Sequence, residues 1–115
     1  MRFHHKKLPE HSTLLMGRVP PDEVGFRSEK LQVWYDNTHT PWRDESLHMH
    51  EEGDACFIVL KGRLEVQVED EHFIISEREF CCFPVGVYHA VTKVHTPAET
   101  LMIRAPTVDD KVYKS

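Results

Sequence analysis

From residue 30 onward, apolar and polar positions alternate with a period near two through most of the chain. In LEVQVE (64–69), Leu64, Val66 and Val68 fall on one side and Glu65, Gln67 and Glu69 on the other. That is the pattern of a strand packed on one face and wet on the other. KLQVWYD (30–36) is rich in strand formers, and NTHTPWRDES (37–46) is a loop built from turn formers. Further short strands are expected near 46–50, 55–61, 63–69, 72–76, 79–84, 88–94 and 99–105. Turns are expected at Lys61-Gly62 and at the acidic tip 69–71. No segment sustains the 3.6-residue apolar period of a helix. Seven or eight short strands in 115 residues predict an all-β domain, a sandwich or a small barrel. Residues 1–29, with Pro9, Gly17 and Pro20-Pro21, read as an irregular N-terminal arm that could hold an edge strand; residues 30–115 read as the barrel domain.

Composition narrows the partners. A net charge of −5 disfavours nucleic acid and anionic membranes, both of which reward basic patches. No apolar run approaches the ~20 residues that span a bilayer. The basic start MRFHHKKLPEHS has no apolar stretch behind it, so no signal peptide is expected and the location is read as cytoplasmic. Three cysteines, none in CxxC spacing, are read as small buried hydrophobes.

The candidate chemistry lies in HMH (48–50). His48 and His50, two apart on an expected strand, leave the same face. Two imidazoles so placed can share a cation at about 2.0–2.1 Å each. Downstream, PVGVYH (84–89) sets a Pro-Gly turn ahead of His89, which a neighbouring strand could bring across the sheet. Three such histidines leave open positions on a metal for substrate or dioxygen.

HMH (48–50), Gly62 and PVGVYH (84–89), with the spacer between them, resemble the two motifs of the cupin superfamily over roughly residues 30–105. The resemblance implies a jelly-roll β-barrel (a double-stranded β-helix), a homodimer, and a divalent metal in the barrel mouth. Its first-motif ligands fall on His48 and His50, and its second-motif ligand on His89. The family's glutamate ligand is replaced by Ala55. Asp54 beside it could substitute if a bulge at Gly53 sets the parity, and a three-histidine site is the other outcome. Arg78 and Lys93 replace a motif glycine and asparagine, changing a turn and a rim.

A three-histidine site resembles those of cupin dioxygenases acting on thiols or β-diketones. A neutral ligand set leaves the full charge on the metal, which favours a small anionic ligand. The expected cofactor is Fe, Mn, Ni or Zn, and the expected function a mononuclear metalloenzyme, dioxygenase- or isomerase-like, acting on a small polar molecule. The alternative is a binding or sensing module without turnover, with or without metal. Phe57, Val59, Phe73, Phe83 and Met102 read as barrel lining, with Phe57, Val59, Phe83 and the loop residue Trp42 as pocket walls. Arg43, Arg63 and Arg104 are candidates to orient a polar substrate. The remaining histidines read as solvated.

Overall fold

The computed structural model describes residues 3–19, 25–40, 46–107 and 109–114. They form β1 (Thr13–Gly17), β2 (Phe26–Arg27), β3 (Gln32–Thr38), β4 (His48–His50), β5 (Asp54–Val68), β6 (Glu71–Ile75), β7 (Phe80–Phe83), β8 (His89–Ala105) and β9 (Lys111–Tyr113). Among the described residues no helix is long and apolar enough to cross a membrane. The strands run in the order β2-β1-β3-β8-β4-β9, and β5 joins this path through β8 while also pairing with β6 and β7. Every pairing except β1 with β2 is antiparallel. The architecture is the expected all-β jelly-roll barrel, with β1 and β2 contributed by the N-terminal arm.

Two long strands form its spine. β5 and β8 pair from Asp54 opposite Ala105 to Val68 opposite His89, with register slips near Lys61 and Val66. The turn expected at Lys61-Gly62 is therefore absent. Gly62 takes φ +80°, and a Cβ there would lie 2.6 Å from the Pro97 carbonyl oxygen. The glycine lets β8 approach closely while β5 bends, as bulged strands do. The second expected turn, at the acidic tip, does join β5 to β6. Arg78, standing where the motif has glycine, takes the left-handed φ of +68° itself, and its amide donates to the Val59 carbonyl.

Directly opposed residues share a face, so the register reads out the barrel interior. Ala55 pairs with Arg104 and Phe83, Phe57 with Met102 and Cys81, and Val59 with Thr100. From the other side of β8, Gln32 pairs with Arg104 and Trp34 with Met102. The core comprises Ala55, Val59, Leu64, Val66, Phe83, Val91, Val94 and Ala98, with Phe57 and Cys81 packed against it. Phe73 departs from expectation. It lies on β6, which pairs only with β5 and so leaves the side chain uncovered, 45% exposed. Cys82 is exposed, and Cys56 and Cys81 are half-buried, so the cysteines are not uniformly core residues.

Candidate metal centre

β4 is short, but it is held on both edges. His48 lies opposite His89 at the start of β8 and opposite Tyr113 on β9, and His50 lies opposite Lys111. The amide of Gly86 donates to the His50 carbonyl at 3.0 Å, which docks the Pro-Gly turn onto the HMH strand. Two segments forty residues apart in sequence thus present three imidazoles to one point. Each of the three residues is at most 3% exposed. One ring nitrogen from each lies within 4.8 Å of the others. Ring centroids are 4.5 Å apart for His48 and His89, 5.3 Å for His48 and His50, and 5.4 Å for His50 and His89.

Every Nδ1 in the set faces an acceptor. His48 Nδ1 lies 2.8 Å from the Ser46 carbonyl and His89 Nδ1 2.9 Å from the Val87 carbonyl. His50 Nδ1 lies 2.9 Å from Asp110 Oδ1. A carbonyl or carboxylate cannot donate, so each Nδ1 carries a proton, and in the neutral ring Nε2 then keeps the lone pair. Metal-bound histidines show this division of labour between their two nitrogens.

The electrostatics favour the neutral form of His50 and His89. Burial lowers the pKa of His89 to about 4, aided by the charges of the other histidines and Arg104 and opposed by the Val87 carbonyl. Burial and Arg104 also lower His50, against the raising effect of Asp110. Neutral imidazole is the form that binds a cation. Asp110 itself is buried, which alone would raise its pKa. Its bonds from the Glu52 and Gly53 amides, at 3.0 and 2.7 Å, and from His50 outweigh that and hold it below the ordinary carboxylate value. A Cβ on Gly53 would come within 3.1 Å of the Ala105 carbonyl oxygen, so glycine lets this bend pass close to the end of β8.

Asp110 has no signal in the sequence. It lies beyond the last expected strand, in a segment with no motif, and only the fold carries it back beside β4. Asp54, the residue weighed as a fourth ligand, lies elsewhere. The bend at 51–53 and the clasp of Gly53 by Asp110 shift the parity, so Ala55 turns inward and Asp54 is exposed, outside the imidazole group. Of the pocket candidates, Phe83 stacks on His89 at 4.0 Å and 2°. Phe57 meets Phe83 edge-on at 6.0 Å. Val59, two positions further along that face, is fully buried in the core. Trp42 and Arg43 lie outside the described residues. Arg63 is exposed near His95, away from the histidines. Arg104 is the one that bears on them: its charge acts on His50 and His89, and its buried Nε has no hydrogen-bond partner.

The donor set therefore fits a divalent metal. Three neutral nitrogen donors converge, their other nitrogens are anchored, and a carboxylate supports one of them.

Several solved structures share this fold at low identity. DMSP lyase DddQ from Ruegeria pomeroyi DSS-3 aligns at a TM-score of 0.63 and 19% identity, over 90% of this chain and 50% of that one. The chain thus spans half the length of that lyase. Pac13, a nucleoside dehydratase, known also from a Streptomyces structure, aligns at 0.62 and 10% identity, over 76% of this chain and 70% of that one. A protein with a double-stranded β-helix domain from Klebsiella pneumoniae subsp. pneumoniae MGH 78578 aligns at 0.66 and 11% identity, over 97% of this chain and 91% of that one. No curated protein matches the chain. The sequence pattern of the cupin domain matches residues 39–104, which include all three histidines and most of the spine. By that match, and by the barrel and histidine group it encloses, the chain belongs to the cupin family.

Proposed function

We propose that the protein is a mononuclear metalloenzyme in which His48, His50 and His89 hold one divalent cation, Fe, Mn, Ni or Zn, and a small anionic molecule is the substrate. The observation that carries this reading is the uniform engagement of Nδ1, which turns three Nε2 lone pairs into a neutral ligand set. Bound there, a metal would supply Lewis acidity and a template, with coordination positions left over for substrate. The chain's own residues do the rest. Arg104 presents a positive charge on the inner face and would orient a carboxylate or enolate. Phe83 and Phe57 form an apolar wall that excludes water beside His89. Asp110 and the two carbonyls fix ring orientation.

Oxygenation or isomerisation is the reaction class proposed. Elimination joins the assays because a lyase and a dehydratase share the fold. The same reading makes the protein a cytoplasmic homodimer, which the free thiols and the family's habits support. Elemental analysis of the protein and of the His48→Ala, His50→Ala double variant is the test. About one metal per chain, lost in a variant that keeps its strand signature, is the expected result. Oxygen uptake with thiols and β-diketones then follows. Wild-type protein that stays metal-free after incubation with Fe(II) or Mn(II) would overturn the reading in favour of a non-catalytic binding module.

A further inference from the structure

The pairing of β5 with β7 sets two thiols side by side on the outer face of the barrel. Cys56 and Cys82 are direct cross-strand partners. Opposed residues of antiparallel strands have Cα atoms about 4.5 or 5.5 Å apart, within the roughly 4.4–6.8 Å that a disulfide spans. Both thiols are free, and the Cys82 thiol is near enough to act on the titration of the Cys56 thiol. Cys82 is exposed, and a cavity of about 300 Å³ opens beside the pair, lined by Asp54, Pro84 and Ile103 among others. Cys81 is excluded from the pair, because it faces inward opposite Phe57.

We propose that Cys56 and Cys82 are a redox dithiol, a modification site that closes to an intramolecular cross-strand disulfide by exchange with a small-molecule disulfide such as oxidised glutathione. Cys82, the exposed partner, gives its proton to solvent and attacks one sulfur of the reagent; the reagent's S–S bond breaks and the first thiolate leaves, taking up a proton. Cys56 then loses its proton and attacks the Cys82 sulfur of the mixed disulfide, expelling the second small thiol. Two cysteine thiols are oxidised and one reagent disulfide is reduced to two thiols. Burial, and then the Cys82 thiol itself, push the Cys56 thiol up to about 12, which makes it the poorer first nucleophile. Once Cys82 is in the mixed disulfide, the contribution of its thiol to that shift is gone. Closure would fasten β5 to β7 one residue from Phe83, the ring stacked on His89. Disulfides in reducing compartments tend to be transient and responsive, as this one would be.

The experiment treats the reduced, folded full chain with oxidised glutathione and follows intact mass and peptide linkage. Wild type and Cys81→Ser should lose the mass of two hydrogens and yield a Cys56–Cys82 linked peptide. Cys56→Ser should stop at a glutathione adduct on Cys82, and Cys82→Ser should react at least about tenfold more slowly, since its remaining outer-face thiol is half-buried. A stable adduct on wild type without closure, a linkage through Cys81, or an interchain disulfide would each overturn the proposal. The wild-type arm decides the matter even if a variant fails to fold. Metal content plays no part in the readout.

Discussion

Two of the three imidazoles are held differently from the third. His48 and His89 each face the carbonyl two residues before them, of Ser46 and Val87, so the backbone leading into each strand orients the ring that opens it. His50 is oriented by Asp110, sixty residues away, on the segment that leads into β9. The first arrangement belongs to local backbone geometry and survives any change of the neighbouring side chain. The second depends on one carboxylate and on the tail returning to β4. Convergence of the three rings is therefore only as robust as the contact between Asp110 and His50.

Removing that contact should have the largest effect. Asp110→Ala leaves the Glu52 and Gly53 amides and the His50 Nδ1–H without their acceptor in a buried setting. A buried donor left without its acceptor costs about 1–3 kcal/mol, so losing the shared acceptor of all three removes a substantial part of the stability of a domain this size. Asp110→Asn keeps the volume and one acceptor oxygen but loses the charge. It should fold and bind metal about 10–100-fold more weakly, the usual cost of losing the partner behind a ligating histidine. Denaturant melts and metal titrations on both variants check the two halves. If Asp110→Asn bound metal as tightly as wild type, the tail would be a structural clasp and nothing more.

A second measurement separates His89 from Asp110 by pH. The folded pKa of His89 lies near 4, against about 6.5 in an unfolded chain. Between those values the unfolded chain carries a proton that the folded metal-free protein does not. Stability therefore rises with pH across that window and is lost as pH falls through it, by on the order of 3 kcal/mol. Asp110 has a folded pKa below 3.8, so its contribution is lost only at still lower pH. Urea melts of metal-free protein from pH 7 to pH 3 should show both losses in sequence. His89→Asn should shrink the upper window to the part that His50, also lowered by burial, contributes, and leave the lower one; an unchanged upper window would mean that His89 is solvated enough to titrate normally.

The same contrast explains what the sequence made legible. The HMH strand, the Pro-Gly turn and the alternation in 64–68 are local patterns, and local patterns located the barrel and the three imidazoles. The Lys61-Gly62 turn was misread because a glycine with positive φ serves a bend as well as a hairpin; only the opposing Pro97 carbonyl reveals which. Phe73 was misassigned because alternation identifies a face without telling whether another strand covers it. The inward turn of Ala55 instead of Asp54 hinges on the clasp of Gly53, and the clasp on a residue sixty positions from His50. The pairing of Cys56 with Cys82 likewise requires the register of two strands. Each missed feature involves a partner distant in sequence, where a period of two carries no information.

The smallest expected effect is the sharpest control. Ser46→Ala removes a hydroxyl next to the carbonyl that accepts from His48, and leaves the carbonyl itself in place. Ser46 is exposed, and substitutions at such positions usually change stability by less than about 0.5 kcal/mol. Metal affinity should stay within about twofold of wild type, since 0.5 kcal/mol corresponds to that ratio. Measured beside Asp110→Asn in one titration series, the pair tests whether backbone and side-chain anchoring differ as the hydrogen bonds indicate. If Ser46→Ala weakened metal binding as much as Asp110→Asn, the orientation of His48 would depend on the Ser46 side chain and not on its backbone carbonyl, and the distinction between the two kinds of anchor would fail.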